Sequence, residues 1–145
     1  MATRSRIGYE TATGKFRTIY CHWDGYPEGV GKTLKEHYTN PTDIESLIDL
    51  GDISSLRETL EETEKEAYEK ESVRESSIRE YEDLDDVLRN LGRCGEEYTY
   101  LFMEDYSGAF GWKVVETPYP TDLDEVLARN KKQWVVFKKL KLEIS

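Results

Sequence analysis

A dense group of ring-bearing and acidic side chains lies early in the chain, in the stretch from Tyr20 to Glu28. Its members are Tyr20, Cys21, His22, Trp23, Asp24, Tyr26 and Glu28. Buried tyrosine and tryptophan each need a hydrogen-bond partner, so a strand that only fills a core would not require so many of them. Rings with polar tips suit a ligand site, where they stack on planar groups and bond to their edges. We therefore interpret this stretch as the candidate site.

The residue types in and around this stretch predict a ligand of nucleotide type. Tyrosine and histidine rings stack on a base, a carboxylate accepts a hydrogen bond from it, and an arginine or lysine holds a phosphate. A helix that begins after the turn would also direct backbone N–H groups toward an anion. The predicted ligand-binding residues are Arg6, Tyr20, His22, Asp24, Tyr26, Lys32 and Tyr38. Taken singly, each is as easily explained by a small aromatic core, and only the cluster indicates a site.

Enzymatic interpretations are weaker. His22 and Asp24 share one face of a predicted strand, which suits acid–base catalysis by a small hydrolase, but no third member can be named. The segment Gly29–Thr33 is similar to the end of a phosphate-binding loop, yet that motif needs a glycine where Tyr26 stands. The sequence therefore predicts no catalytic residues.

Metal and cofactor binding are not predicted either. The chain has two cysteines and two histidines, without the C-x-x-C spacing of a zinc site. Cys21 and His22 are adjacent on a predicted strand, so their side chains point to opposite faces and cannot share one ion. Two cysteines are also too few for a disulfide framework, which is typical of a cytosolic protein.

The net charge of −10 argues against direct binding to DNA or RNA, whose phosphates attract lysine and arginine. Most of the excess acid lies between Arg57 and Asp86. Such a run is usually a solvated surface, but it could also attract a basic partner protein by imitating a nucleic acid backbone. The predicted partner-binding residues under this alternative are Glu61, Glu62, Glu66, Glu69, Glu82, Asp83, Asp85 and Asp86.

Neither a membrane span nor a signal peptide is predicted. No stretch approaches the roughly 20 apolar residues that a span needs. The N-terminus also lacks the apolar core of a signal peptide. We therefore expect a soluble cytoplasmic protein that does not bind membranes.

Two strands are expected to position the candidate site. Ser5–Glu10 and Phe16–Asp24 read as a hairpin whose loop contains Gly14, a residue that tolerates the positive φ of such turns. Alternation along the second strand predicts that its more apolar face points to the core and that Tyr20, His22 and Asp24 point the other way. The core-facing residues are Ile19, Cys21 and Trp23.

Helices are predicted after the site. Val30–Tyr38 should be helical and should end before Pro41. A capping box, with Thr42 as N-cap and Glu45 three residues later, opens a short helix that ends at Gly51. The acidic segment then predicts two polar helices, Leu56–Ser72 and Ile78–Leu91, paired as a protruding acidic helical hairpin inserted at about residues 54–92.

The rest of the chain predicts further strands. Glu97–Glu104 and Phe110–Thr117 form a second hairpin, Asp122–Asn130 a short helix, and Gln133–Leu142 a last strand. The predicted fold class is α+β, a single two-layer domain over residues 1–145. It has about five mostly antiparallel strands, helices on one face and the acidic hairpin.

Part of the chain resembles small accessory proteins of tailed bacteriophages and prophages. The resemblance is carried by Ser5–Tyr9, Ile19–Tyr38 and Leu47–Leu56, which include the string IYCHWDGYPEGVGKTL, and more loosely by Glu96–Val115. It implies a phage product acting in the host bacterial cytoplasm, of a kind that frequently counters host defence. Such proteins sequester a nucleotide-derived immune signal, as the Thoeris anti-defence sponges do, or bind a defence protein such as a CRISPR effector.

The leading hypothesis is a non-enzymatic phage counter-defence protein that sequesters a small nucleotide-derived immune signal. The alternative is an acidic, anti-CRISPR-like inhibitor that binds a host defence nuclease or effector as a nucleic-acid mimic. The third is a small hydrolase. None of these hypotheses includes a cofactor. A homo-oligomer is compatible with all three, because exposed sheet edges and tyrosine-rich surfaces pair readily.

Overall fold

A five-stranded sheet organises the computed structural model, which describes residues 2–105 and 107–117. The strands are β1 (Ser5–Glu10), β2 (Phe16–Cys21), β3 (Arg79–Tyr81), β4 (Tyr98–Glu104) and β5 (Phe110–Glu116). Their order is β3–β2–β1–β4–β5. β1 runs parallel to β4, and the other neighbouring pairs are antiparallel. The predicted α+β class with about five mostly antiparallel strands is confirmed.

Both predicted hairpins form. In the first, Ile7 lies opposite Ile19, and Gly14 in the loop has φ 83°. In the second, Tyr100 lies opposite Val114, and Gly108 in the turn has φ 84°. Left-handed backbone at these glycines costs little because no Cβ opposes it.

Helices lie on both sides of the sheet. The α-helices in the described residues are α1 (Lys32–His37), α2 (Pro41–Asp49), α3 (Leu60–Glu64) and α4 (Leu84–Arg89). α1 and α2 cover one face, where Leu34 and Leu47 are fully buried in one apolar cluster with Ile7 and Ile19. Burying such leucine side chains stabilises the fold by about 1.5–3 kcal/mol each.

The opposite face is covered by α4. Its Val87 packs in a second buried cluster with Phe16, Leu101 and Met103. The prediction of helices on one face therefore holds for α1 and α2 but not for α4. The reason is that β2 carries apolar side chains on both of its faces, so both need a covering layer.

Helix α2 begins two residues earlier than the capping box predicts. Asn40 is its N-cap and accepts a hydrogen bond from the amide of Thr42 at 2.9 Å, while Pro41 occupies the first helical position. Proline fits that position because its φ is already helical and its missing N–H would have no partner there. The predicted end is confirmed, since Gly51 has φ 72° and donates to the carbonyl of Ile48.

The protruding acidic helical hairpin is not confirmed. α3 has five residues and α4 has six, and between them lie a 3₁₀ turn at Glu71–Ser77 and strand β3. The segment lies against the rest of the fold, because β3 pairs with β2 and the amide of Tyr68 bonds to the carbonyl of Asp52 at 3.0 Å. Helices with so thin an apolar stripe gain little from packing, so the backbone bonds to adjacent segments instead.

The predicted helix Asp122–Asn130 and the predicted strand Gln133–Leu142 lie outside the described residues. None of the helices within residues 2–105 and 107–117 has both the length and the apolar character that a membrane crossing requires.

Candidate functional site

The candidate site begins where β2 leaves the sheet. After Cys21, the amides of His22 and Trp23 bond to the carbonyls of Ile53 (3.2 Å) and Ser54 (2.9 Å). Asp24 then turns the chain in a left-handed conformation, φ 56°, which aspartate tolerates better than most residues. The strand pattern therefore stops at Cys21, two residues before Trp23.

This early stop exposes Trp23, which is 46 % accessible to solvent. The prediction that Trp23 faces the core with Ile19 and Cys21 is wrong for Trp23 and confirmed for the other two, both fully buried. Alternation holds only while the backbone stays extended, and the turn at Asp24 ends it.

Four rings form a group that we call the aromatic surface, defined as Tyr20, His22, Trp23 and Tyr68. Trp23 and Tyr68 are exposed, and Tyr20 and His22 are half-buried. The hydroxyl of Tyr20 lies 2.8 Å from Nδ1 of His22. The rings of His22 and Trp23 meet edge to face with centroids 4.7 Å apart. Tyr68 is 55 % accessible. Such ring geometry is favourable and holds Tyr20, His22 and Trp23 in a defined arrangement.

Tyr68 is the member that sequence reasoning misses. Ile53 bridges Cys21 on one side and Ala67 on the other, which extends the sheet beyond β2 by two short segments. Within them, Asp52 accepts the amide of Tyr20 at its carboxylate (2.9 Å) and the amide of Tyr68 at its carbonyl (3.0 Å). The sequence predicts a polar helix at Tyr68, and only the pairing of Ile53 with Ala67 shows that Tyr68 lies beside Tyr20 instead.

Two predicted ligand-binding residues lie away from solvent. Arg6 is buried, and its Nε donates to Glu96 at 2.6 Å while Nη1 donates to Thr18 at 3.1 Å. Tyr38 is buried, and its hydroxyl donates to the carbonyl of Arg57 at 2.8 Å. In this structure both residues hold the fold together, and neither side chain is exposed to a ligand in solvent.

The other predicted residues stay at the surface. Tyr26 is 40 % accessible, and its hydroxyl donates to the carboxylate of Asp24 at 3.2 Å. Lys32 is exposed at the start of α1. The turn before α1 already uses amides that an anion would need, because Gly29 bonds to the carbonyl of Tyr26 and Val30 to that of Asp24.

Charge differs between the two ends of the aromatic surface. At one end, burial raises the pKa of the Tyr20 hydroxyl and the positive charge of Arg4 lowers it. At the other end, burial raises the pKa of Tyr68, and the negative charges of Asp52 and Glu66 raise it further. The surface therefore has a cation beside Tyr20 and carboxylates beside Tyr68.

Among the described residues, neither the predicted acid–base pair nor a cluster of metal ligands is present. His22 contacts Tyr20 and Trp23, while the Asp24 carboxylate bonds to Tyr26, so the predicted acid–base pair does not form in this part of the chain. No three His, Cys, Asp or Glu side chains in residues 2–105 and 107–117 are placed to hold a metal ion. The side chains of the aromatic surface make ring contacts and hydrogen bonds, and such contacts suit the binding of a ligand.

The predicted partner-binding carboxylates are spread over the segment that runs along the sheet edge. Those exposed to solvent are Glu61, Glu62, Glu69, Glu82, Asp83 and Asp85, whereas Glu66 and Asp86 are half-buried. Glu66 accepts the hydroxyl of Ser54 at 2.8 Å and pairs with Arg57. Asp83 caps α4 by accepting the amide of Asp86.

Comparison with known proteins returned no relative, since the chain matches no family model, no curated protein and no solved structure.

Proposed function

We propose that this chain is a non-enzymatic protein that binds and sequesters a small nucleotide-derived ligand on the aromatic surface. The observation that supports it is the exposure of Trp23 and Tyr68 beside Tyr20, with the guanidinium of Arg4 close by. Ring stacking contributes about 1–3 kcal/mol per base in other proteins that bind nucleotides. A nearby cation adds a charge-assisted hydrogen bond to a phosphate.

The resemblance to phage accessory proteins supports the biological setting of this proposal. The ligand would be an immune signal that the infected cell makes from nucleotides, and the protein would act in the host bacterial cytoplasm. Sequestration lowers the free signal without consuming it, which requires tight binding and no chemistry.

Calorimetric titration with a panel of nucleotides, including ADP-ribose and cyclic dinucleotides, tests the proposal. Heat denaturation of the complex, followed by chromatography, should return the ligand intact, whereas a hydrolase would return fragments. The double variant Trp23→Ala with Tyr68→Ala should lose binding. Phe110→Ala is the matched control, because Phe110 is equally exposed (54 %) but lies on β5.

An acidic inhibitor of a basic defence protein is the second candidate. It is favoured by the exposed carboxylates of Glu61 and Glu62 on α3 and of Asp85 on α4. Neutralising these three residues to glutamine or asparagine should restore host immunity in a plaque assay if this candidate is correct. The same variant should retain full counter-defence activity if the aromatic surface is the functional one.

A further inference from the structure

The aromatic surface carries one cation that sequence reasoning did not single out. Arg4 precedes β1 and lies two residues before Arg6, so alternation directs its side chain to the face of the sheet shared by Arg6 and Tyr20. Unlike Arg6, Arg4 is exposed, and its side chain makes no hydrogen bond or ion pair within the part of the chain that the structure describes.

The position of Arg4 is defined by its neighbours. Its carbonyl accepts the amide of Glu97 at 2.9 Å, which attaches it to the start of β4. Its guanidinium lies over Gly95, where an added Cβ would stand 2.5 Å from Nη1. Gly95 also has φ 84°, so a larger residue would both strain the loop and displace the guanidinium. Glycine at this position therefore leaves the space that the Arg4 side chain occupies, and the charge of Arg4 acts on the hydroxyl of Tyr20.

The far end of the surface has the opposite charge. The carboxylate of Asp52 accepts the Tyr20 amide, and its backbone carbonyl accepts the Tyr68 amide. Glu66 lies next to Ser54, whose carbonyl accepts the Trp23 amide. Carboxylates here would accept hydrogen bonds from the amino and imino edges of a base and would repel a second phosphate.

We infer that the surface selects a nucleotide with one phosphate, bound at Arg4, and with the donor edge of its base directed toward Asp52 and Glu66. This inference rests on the proposed function and specifies its ligand. A single guanidinium matches one phosphate well, because its fork of N–H groups binds two oxygens at once. In a chain of net charge −10, each further phosphate adds repulsion. The other cations near the surface already face carboxylates, since Arg6 pairs with Glu96, Arg57 pairs with Glu66 and the charge of Arg79 acts on Asp52.

Titration of the full chain with adenosine, AMP and ATP, and with the corresponding guanine and uracil series, tests the inference. AMP or its counterpart should bind about tenfold more tightly than the nucleoside, as expected of a hydrogen bond to a charged group. The triphosphate should bind no more tightly than the monophosphate. Arg4→Gln should reduce the monophosphate to the affinity of the nucleoside, and Arg4→Lys should restore part of the difference.

Arg89→Gln is the matched control, since Arg89 is exposed at the end of α4 and should leave all affinities unchanged. Tighter binding of the triphosphate would overturn the inference but not the proposed function. An Arg4→Gln variant that keeps the preference for the monophosphate would do the same. The ring variants would still lose binding in both cases, which preserves the proposed function. Failure of all three series to bind would overturn the inference, and the proposed function would fall with it if ADP-ribose and the cyclic dinucleotides also failed to bind.

Discussion

Arg6 and Glu96 form an ion pair in the interior, with Nε 2.6 Å from Oε2 and side chains only 5 % and 2 % accessible. The second carboxylate oxygen of Glu96 accepts the amide of Cys94 at 2.6 Å, and the guanidinium also donates to Thr18. The pair joins β1 to the segment that precedes β4. It also explains why the phosphate-binding role predicted for Arg6 passes to Arg4 in our proposal.

Loss of one partner of this pair should destabilise the fold strongly. Arg6→Met leaves the carboxylate of Glu96 buried without its cation, which should lower the free energy of unfolding by about 3–5 kcal/mol. Urea denaturation of the variant and the parent chain at neutral pH measures this loss of free energy of unfolding. The double variant Arg6→Met with Glu96→Gln should recover part of the loss, because no buried charge then remains. A single-variant loss below about 1 kcal/mol would contradict the burial of the pair.

The hydroxyl of Tyr100 supports the turn of the candidate site from below. It donates to the carbonyl of Gly25 at 2.7 Å and is buried. Tyr100→Phe should reduce stability by about 1–2 kcal/mol, since it leaves that carbonyl without its partner. Tyr98→Phe on the same strand is the control. Tyr98 is half-buried and makes no hydroxyl hydrogen bond within the described residues, so equal losses would show that the bond to Gly25 is unimportant.

Asp52 should make stability depend on pH. Burial raises the pKa of its carboxyl above the usual 3.8, although Arg6 and Arg79 oppose this, so the folded chain keeps that proton to higher pH than the unfolded chain. The stabilisation that this proton gives is complete below the pKa of Asp52 in the unfolded chain. It is lost as the pH rises through the pKa of Asp52 in the folded chain. Asp52→Asn keeps an acceptor for Tyr20 but cannot ionise.

The stability of Asp52→Asn relative to the parent chain should therefore improve as pH rises from about 3 to about 7. Urea midpoints of both proteins across that range give the comparison. A difference that stays constant, or that changes in the other direction, would show that Asp52 ionises as easily in the folded chain as in the unfolded one.

The two cysteines should differ in reactivity. Cys21 is fully buried, and burial raises the pKa of its thiol to about 12, so almost no thiolate forms at neutral pH. Cys94 is half-buried. Iodoacetamide should modify Cys94 alone in the native protein and both thiols in urea, as mass spectrometry would show. Rapid native labelling of Cys21 would mean that the end of β2 opens readily.

Local patterns predicted much of the fold. The bounds of β1 match the prediction at both ends, and both hairpins form, the first around the expected Gly14. The acidic segment was predicted poorly because helical propensity there competes with pairing to distant backbone. No periodicity in residues 54–92 indicates that Ile53 will bridge Ala67.

The candidate site was also predicted only in part, because some of its residues are brought together by distant backbone pairing. Tyr20 and His22 are close in the chain and remain in contact, and Tyr26 is exposed as expected of a site residue. Arg4 and Arg6 look alike in sequence, and only the buried position of Glu96 distinguishes the paired arginine from the exposed one. Which arginine is buried depends on pairing between residues far apart in the chain, and a single sequence does not show that pairing.

The position of β1 at the centre of the sheet has a consequence for synthesis on the ribosome. Its antiparallel partner β2 follows at once, but its parallel partner β4 is translated much later. The nascent hairpin therefore leaves one edge of β1 open until Tyr98–Glu104 has emerged from the exit tunnel. Pairing of β1 with β4 should be slow because the two strands are far apart in the chain. We therefore expect chaperones to bind the nascent chain during that interval.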